Sequence, residues 1–226
     1  MDIIVGPTPH DTAELAAGWM ARRIRSAVRL RDLCRVAVSG GGTPALMLDA
    51  MATMDLPWKR VHLYQVDERV APDGDVDRNA TQLIEHLIER IEIPRRNVHL
   101  MPVTAVSLKR ACTSYATALG DGPLDIVHLG IGDDGHTASW PPGDPVIEVT
   151  APVAMSDLYN GRIRMTLTPG VVNAARTRMM LSVGVTKSGP LADWMLQRAD
   201  LPVHRVRRTG TTLILDQAAA SQLQHG

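Results

Sequence analysis

Residues 36–44 read Val-Ala-Val-Ser-Gly-Gly-Gly-Thr-Pro, and a helix-favouring run continues over 45–54. The pattern is a short apolar strand, a glycine loop and a helix N-terminus, the repeating unit of an α/β sheet. Such a junction is also an anion site, because the free N–H groups of a first helical turn and the positive end of the helix dipole converge on the loop. The hydroxyls of Ser39 and Thr43 would join them, and Pro44 suits the first helical position, where no N–H is needed. A glycine turn that only joins strand to helix would account for the same residues.

Outward from this unit, strand-like runs alternate with helical ones. Strands are predicted at 3–5, 36–39, 61–66, 98–101, 124–129, 163–167, 179–185 and 212–215, and helices at 12–29, 45–54, 81–91, 108–119, 171–175 and 190–197. The expected fold is a Rossmann-like α/β domain, a mostly parallel sheet with helices on both faces. No repeat, low-complexity tract or linker divides the chain, so one domain over 1–226 is expected. Residues 71–78 and 140–146, rich in Pro, Gly and Asp, read as surface loops, and 218–226 as either a short helix or a frayed tail.

Composition excludes several classes. Lysine plus arginine equal aspartate plus glutamate at 24 each, so no overall field would recruit nucleic acid or an anionic membrane. Any attraction for an anionic substrate must therefore be local. Cys34 and Cys112 stand far apart, as expected of reduced thiols rather than a disulfide framework. The start, Met-Asp-Ile-Ile-Val-Gly-Pro, lacks the basic and apolar regions of a secretory signal, and no run approaches the ~20 apolar residues of a membrane span. The chain reads as cytoplasmic.

The candidate chemistry lies in Leu129-Gly-Ile-Gly-Asp-Asp-Gly-His-Thr-Ala-Ser139, which ends the apolar run 126–129. Gly130, Gly132 and Gly135 permit unusual backbone angles or close approach, while Asp134 and His136 suit proton transfer near neutral pH. Asp67-Glu68-Arg69-Val70 closes another apolar run, at the edge where open α/β sheets bind ligands. Other signals fail on their chemistry. Asp73-x-Asp75-x-Asp77 imitates a calcium loop, but Arg78 and Ile84 occupy the positions that need glycine and glutamate. The eight histidines include no zinc-ligand spacing, so no metal is expected. His128, inside a strand, reads as a buried, hydrogen-bonded histidine. Arg164 could serve as a cross-strand ion pair and Lys187 as a solvated lysine at a helix start.

Ser39-Gly-Gly-Gly-Thr-Pro44, Asp67-Glu-Arg-Val70, Asp77-Arg-Asn79, Gly130-x-Gly-x-Asp-Gly-His-Thr-Ala-Ser139, Arg164-x-Thr-x-Thr168 and Gly184-x-x-Lys187 occur in one order. In that order and over most of the chain they resemble the glucosamine-6-phosphate isomerase/6-phosphogluconolactonase family, on its lactonase side. Gly42 departs from a usual serine, and Trp140-Pro141-Pro142-Gly143 from Leu-Phe-Pro-Gly, a change expected in a pocket wall.

The resemblance implies cofactor-free hydrolysis of 6-phosphogluconolactone. His136, Asp134 and Arg69 would be catalytic, and Ser39, Gly40, Gly41, Gly42, Thr43, Asp67, Asn79, Gly132, Arg164 and Lys187 would bind substrate. It also implies a functional link to glucose-6-phosphate dehydrogenase, the source of the lactone. Three rival readings remain. A deaminase of the same family would have Tyr-Val after Asp67-Glu68 and Ile-Ala-Phe-Asn-Glu after the histidine, whereas this chain has Arg69-Val70 and Thr137-Ala138-Ser139. A nicotinamide-dependent dehydrogenase would use Gly40–Ala45 as its dinucleotide fingerprint, with Asp67 on a ribose hydroxyl. A sugar-phosphate sensor would have no need of Asp134, His136 and Arg69.

Overall fold

Alternation along the central strands sorts their side chains onto two buried faces. Val36, Val38, Met179, Leu181 and Ile214 enter one apolar cluster, whereas Ala37, Met180, Leu213 and Leu215 enter another. Strands apolar on both sides belong in the middle of a sheet covered on both faces. The computed structural model, which describes residues 1–223, has that arrangement.

In chain order the elements are β1 (Asp2–Gly6), α1 (Pro9–Arg31), β2 (Cys34–Val38), α2 (Gly42–Ala52), β3 (Val61–Gln65), β4 (Asp67–Arg69), α3 (Asn79–His86), β5 (Val98–His99) and α4 (Leu108–Leu119). β6 (Ile126–Leu129), β7 (Val153–Met155), β8 (Arg164–Leu167), α5 (Pro169–Ala174), β9 (Thr177–Ser182), α6 (Ser188–Leu196) and β10 (Thr211–Asp216) follow. Seven strands form one parallel sheet in the order β1-β10-β9-β6-β2-β3-β5. Residues of α1, α2 and α3 bury against one face, and those of α4, α5 and α6 against the other. The chain leaves β2 toward β3 on one side and later returns as β6 on the other. A crevice opens at the carboxyl ends of strands where the winding reverses in this way.

Local chemistry sets the element ends. α1 begins before the predicted residue 12 because Thr8 accepts the Asp11 N–H at 3.2 Å and Pro9 enters the first turn. It ends at Asp32, whose φ of 61° is left-handed. α2 likewise starts earlier than expected, at Gly42, so Pro44 is its third residue and still lies within the turn whose N–H groups have no helical acceptor.

The predicted strand over 163–167 does not join the parallel sheet. As β8 it pairs antiparallel with β4 and β7 in a separate three-stranded sheet. β4 and β7 were not predicted: Asp67-Glu68-Arg69 has no apolar alternation, and β7 is only three residues long. The 140–146 segment is not simply a surface loop, because Trp140, Pro141, Asp144 and Val146 are buried. Trp140 is wholly buried, donates its indole N–H to the Leu167 carbonyl at 2.8 Å and packs in the core, so the expectation of a pocket wall there is corrected. The segment 217–222 is a turn that buries Ala219 and Ala220, while 224–226 lie outside the described residues. Among the described residues no helix is long and apolar enough to cross a membrane.

Candidate active site

β2 and β6 are neighbours, so the loops that leave their carboxyl ends, 39–43 and 130–138, face one another. Together with β4, β8 and the end of β9 they enclose a cavity of about 250 Å³. Ser39, Gly40, Gly41, Gly42, Thr43, Asp67, Arg69, Asn79, Gly132, His136, Arg164 and Lys187 all line it. Asp134 is the one candidate residue outside the wall, and it lies behind the imidazole instead.

The loop after β6 aims His136. Asp134 Oδ1 accepts the His136 backbone N–H at 3.1 Å and stands 2.6 Å from Nδ1. With Nδ1 as the donor, Nε2 keeps a lone pair and has no protein partner among the described residues. The second Asp134 oxygen accepts the Tyr159 hydroxyl at 2.6 Å. Burial opposes the Asp134 charge, but the hydrogen bonds from Tyr159 and His136 outweigh it and hold the carboxyl at about 2. Gly132 is required by close approach: a Cβ there would lie 2.0 Å from His136 Nδ1. Gly135 has a φ of 80°, whereas Gly130 is only in ordinary contact and has no positive φ, so only two of the three glycines behave as expected.

The loop after β2 offers N–H groups. The Gly41 N–H is engaged by the Gln82 side chain at 3.0 Å, but those of Gly42 and Thr43 have no acceptor among the described residues. Ser39 departs from expectation, since its hydroxyl donates to the His128 carbonyl at 3.1 Å, while the Thr43 hydroxyl has no partner among the described residues. Beneath it His128 is fully buried, and its Nδ1 accepts the Ser39 N–H at 3.3 Å. Desolvation pulls that imidazole down to about 3, so it is neutral at physiological pH. A Cβ on Gly40 would come within 2.1 Å of Asn79 Oδ1, so glycine is what lets the loop close onto α3.

The second sheet contributes cations. Arg69 and Arg164 are directly opposite in the β4–β8 register. Arg164 is almost wholly buried and its guanidinium makes no hydrogen bond or ion pair to protein among the described residues, so a cross-strand ion pair is not its role. Burial, then the nearby Arg69 charge, lowers its pKa. The Nε groups of both arginines are buried without a partner among the described residues. Arg69 is steadied through Nη1, which donates to Asn79 Oδ1 at 2.8 Å and to the Asp77 carbonyl at 2.7 Å. Asn79 in turn donates to the Asp67 carbonyl at 2.8 Å, and Asp67 Oδ2 accepts the Ser139 hydroxyl at 2.6 Å. Lys187 is not simply solvated: it pairs with Asp133, whose pKa is lowered chiefly by that hydrogen bond.

Sequence reasoning missed Asp133, Tyr159 and the work of Glu68. Glu68 is fully buried and accepts from the N–H groups of Asn79 and Ala80 at 2.8 Å each, which fixes α3 and hence Asn79. The acidic row at 73–77 is spent on arginines, Asp73 on Arg78 and both Asp75 and Asp77 on Arg162. Among the described residues no three His, Cys, Asp or Glu side chains converge as a metal-ligand set.

Residues 7–215 match the model of the family described as glucosamine-6-phosphate isomerases/6-phosphogluconolactonase. The chain belongs to that family. A 6-phosphogluconolactonase of Synechocystis sp. is 30% identical, with 93% of each chain covered. The crystal structure of a 6-phosphogluconolactonase from Thermotoga maritima superposes with a TM-score of 0.87 at 24% identity, covering 95% of this chain and 98% of that one. A monomeric glucosamine-6-phosphate deaminase superposes nearly as well, with a TM-score of 0.85 at 18% identity, covering 98% of this chain and 100% of the other. At these identities the two structures share the fold with this chain, and the fold alone does not separate their activities.

Proposed function

We propose that the chain hydrolyses 6-phospho-D-glucono-1,5-lactone to 6-phosphogluconate, with His136 as general base and without a metal ion. It is a carboxylic ester hydrolase of the lactonase branch, supported by the lactonase relatives. One observation carries the site assignment: Arg69 and Arg164 face each other with unpartnered Nε groups in the cavity that also holds the α2 N-terminus and the Asp134-oriented imidazole. Two like charges directly opposite on paired strands are destabilising unless an anion comes between or beside them.

The 6-phosphate sits on the N–H groups of Gly42 and Thr43 and the Thr43 hydroxyl, with Arg164 and Lys187 adding charge-assisted hydrogen bonds. That anchors the ring so that C1 faces His136. Nε2 takes a proton from water as the water oxygen bonds to C1, and negative charge moves to the former carbonyl oxygen, where Arg69 stabilises it. Collapse restores the carbonyl and breaks the bond from C1 to the ring oxygen, which receives the proton from His136. Asp67 and Asn79 organise Arg69 rather than react. The whole chain acts as one unit in the cytoplasm, downstream of glucose-6-phosphate dehydrogenase, whose oxidation product is this lactone.

The deciding assay uses freshly made 6-phosphogluconolactone beside glucosamine 6-phosphate. Lactone hydrolysis without ammonia release is expected, and ammonia release alone would replace the proposal with deamination. Exhaustive chelation is expected to leave the rate unchanged; loss of activity restored by zinc or magnesium would overturn the metal-free mechanism.

A further inference from the structure

The proposed mechanism leaves one side chain unused. Tyr159 lies at the tip of the β7–β8 hairpin, in the turn Tyr159-Asn160-Gly161-Arg162, where Asn160 and Gly161 have φ values of 48° and 76°. Positive φ at both central residues is the type I′ turn, a conformation that Asn-Gly favours and that matches strand twist. The turn is also tied down from outside. Arg162 pairs with Asp75 and Asp77 at 3.2 and 3.1 Å, which joins the hairpin tip to the 71–78 loop.

So held, Tyr159 touches both halves of the site. Its hydroxyl donates to Asp134 Oδ2 at 2.6 Å and lies 3.2 Å from His136 Nδ1. Its ring meets the imidazole edge to face, with centroids 5.4 Å apart, and the Arg164 guanidinium carbon sits 5.0 Å from the ring centroid. We propose that Tyr159 is a positioning residue: its hydroxyl holds Asp134 in the rotamer that orients His136, and its ring carries Arg164, so that one side chain sets the distance between imidazole and phosphate site.

The proposal rests on the assignment of His136 as base, and its two parts separate by substitution. A carboxylate that accepts two strong hydrogen bonds shares its charge between them, so the Tyr159 hydroxyl draws density from the oxygen facing His136. Removing the hydroxyl leaves more of that charge on the imidazole and strengthens the protonated ring. The other charges around the pair are Asp133 on the same loop, Asp67 and Arg69 on β4, Arg164 on β8 and Lys187 after β9. All of them stay in place in Tyr159→Phe. Burial and Asp134 push the Tyr159 phenol up to about 12, so it remains a donor throughout the working range.

The test follows Tyr159→Phe and Tyr159→Leu by kinetics and by NMR titration of the His136 ring. Tyr159→Phe is expected to lower kcat roughly tenfold, as for loss of one hydrogen bond to a charged group. KM for the phosphorylated lactone should stay within about twofold, because the ring under Arg164 remains, and the acidic limb of kcat/KM should move to higher pH. Tyr159→Leu should add a rise in KM. An unshifted limb with kcat unchanged in Tyr159→Phe would overturn the proposal, as would an equal loss in kcat and KM with no change in the His136 titration. The titration needs no substrate, so an upward shift in Tyr159→Phe supports the positioning role even if the lactone proves not to be the substrate.

Discussion

The two halves of the cavity treat their hydrogen-bonding capacity in opposite ways. On the side of α2 and the small sheet, donors have no acceptor among the described residues: the N–H groups of Gly42 and Thr43, the Arg69 Nε and the guanidinium nitrogens of Arg164. On the side of the β6 loop, the carboxylate behind the base is filled: Asp134 accepts from Tyr159 and from both the backbone and the ring of His136. The two arginine Nε groups are buried, and unfilled buried donors cost free energy that is recovered when an anion arrives, whereas the Gly42 and Thr43 N–H groups face open space and are ready to receive one. Filled ones fix geometry before the substrate arrives. The contrast separates a half built to bind from a half built to orient, and each can be attacked on its own.

The largest effect is expected from His136→Ala, on the orienting half. It should reduce kcat by roughly 10²–10⁴, the usual worth of a general base, while inorganic phosphate still competes for the binding half. Single-turnover rates and phosphate inhibition measured on one preparation check both, and a loss below about tenfold contradicts the base assignment.

Gly132→Ala comes next. The added Cβ would sit 2.0 Å from His136 Nδ1 and 2.2 Å from Cε1, so the ring must move. A displacement of that kind costs on the order of 10² in kcat with little change in KM. If kcat survived, the imidazole would be free to move and the orienting half would not be preorganised.

On the binding half, Lys187→Ala is expected to raise KM for the phosphorylated lactone roughly 10- to 100-fold, the worth of one charged hydrogen bond. Unphosphorylated gluconolactone should be a far poorer substrate in both kcat and KM, because phosphate binding positions its carbonyl, and it should respond little to this change. Equal kcat/KM for the two lactones would erase the division between the halves.

The smallest effect concerns stability and pH. Asp134 has a folded-state value of about 2 against an ordinary 3.8. Its ionised form therefore stabilises the fold fully above about pH 4, and that contribution fades as pH falls toward 2. The Tm gap between the protein and Asp134→Asn should be on the order of 1–2 °C at pH 6, because the side chain is partly exposed, and should close near pH 2. A gap independent of pH would assign the loss to packing instead.

Much of the site was legible because its residues follow strands. Ser39–Thr43, Asp67, Arg69, His136 and Lys187 all lie just beyond apolar runs, and parallel strands deliver their carboxyl ends to one edge. Arg164 was found through family resemblance, but its surroundings were not foreseen. Sequence alone is equally compatible with a cross-strand acid, whereas the register places Arg69 opposite. The small sheet carries no strand periodicity because the three charged residues of β4 do not alternate, and its one local sign is the hairpin pair Asn160-Gly161. Tyr159 was therefore missed with it.

Local sequence by itself determined the glycine loops, the strand-to-helix junction at 39–44 and the α/β class, because each depends on residues a few positions apart. The family order of motifs further pointed to a sugar-phosphate lactone. Tertiary structure alone decided that Tyr159 lies on Asp134, that Asp133 neutralises Lys187 and that Ser39 spends its hydroxyl on His128. Those contacts span 25, 54 and 89 residues. They arise from how the small sheet and the loop ends pack over the main sheet, and no spacing along the chain encodes which of several nearby polar groups a side chain will meet.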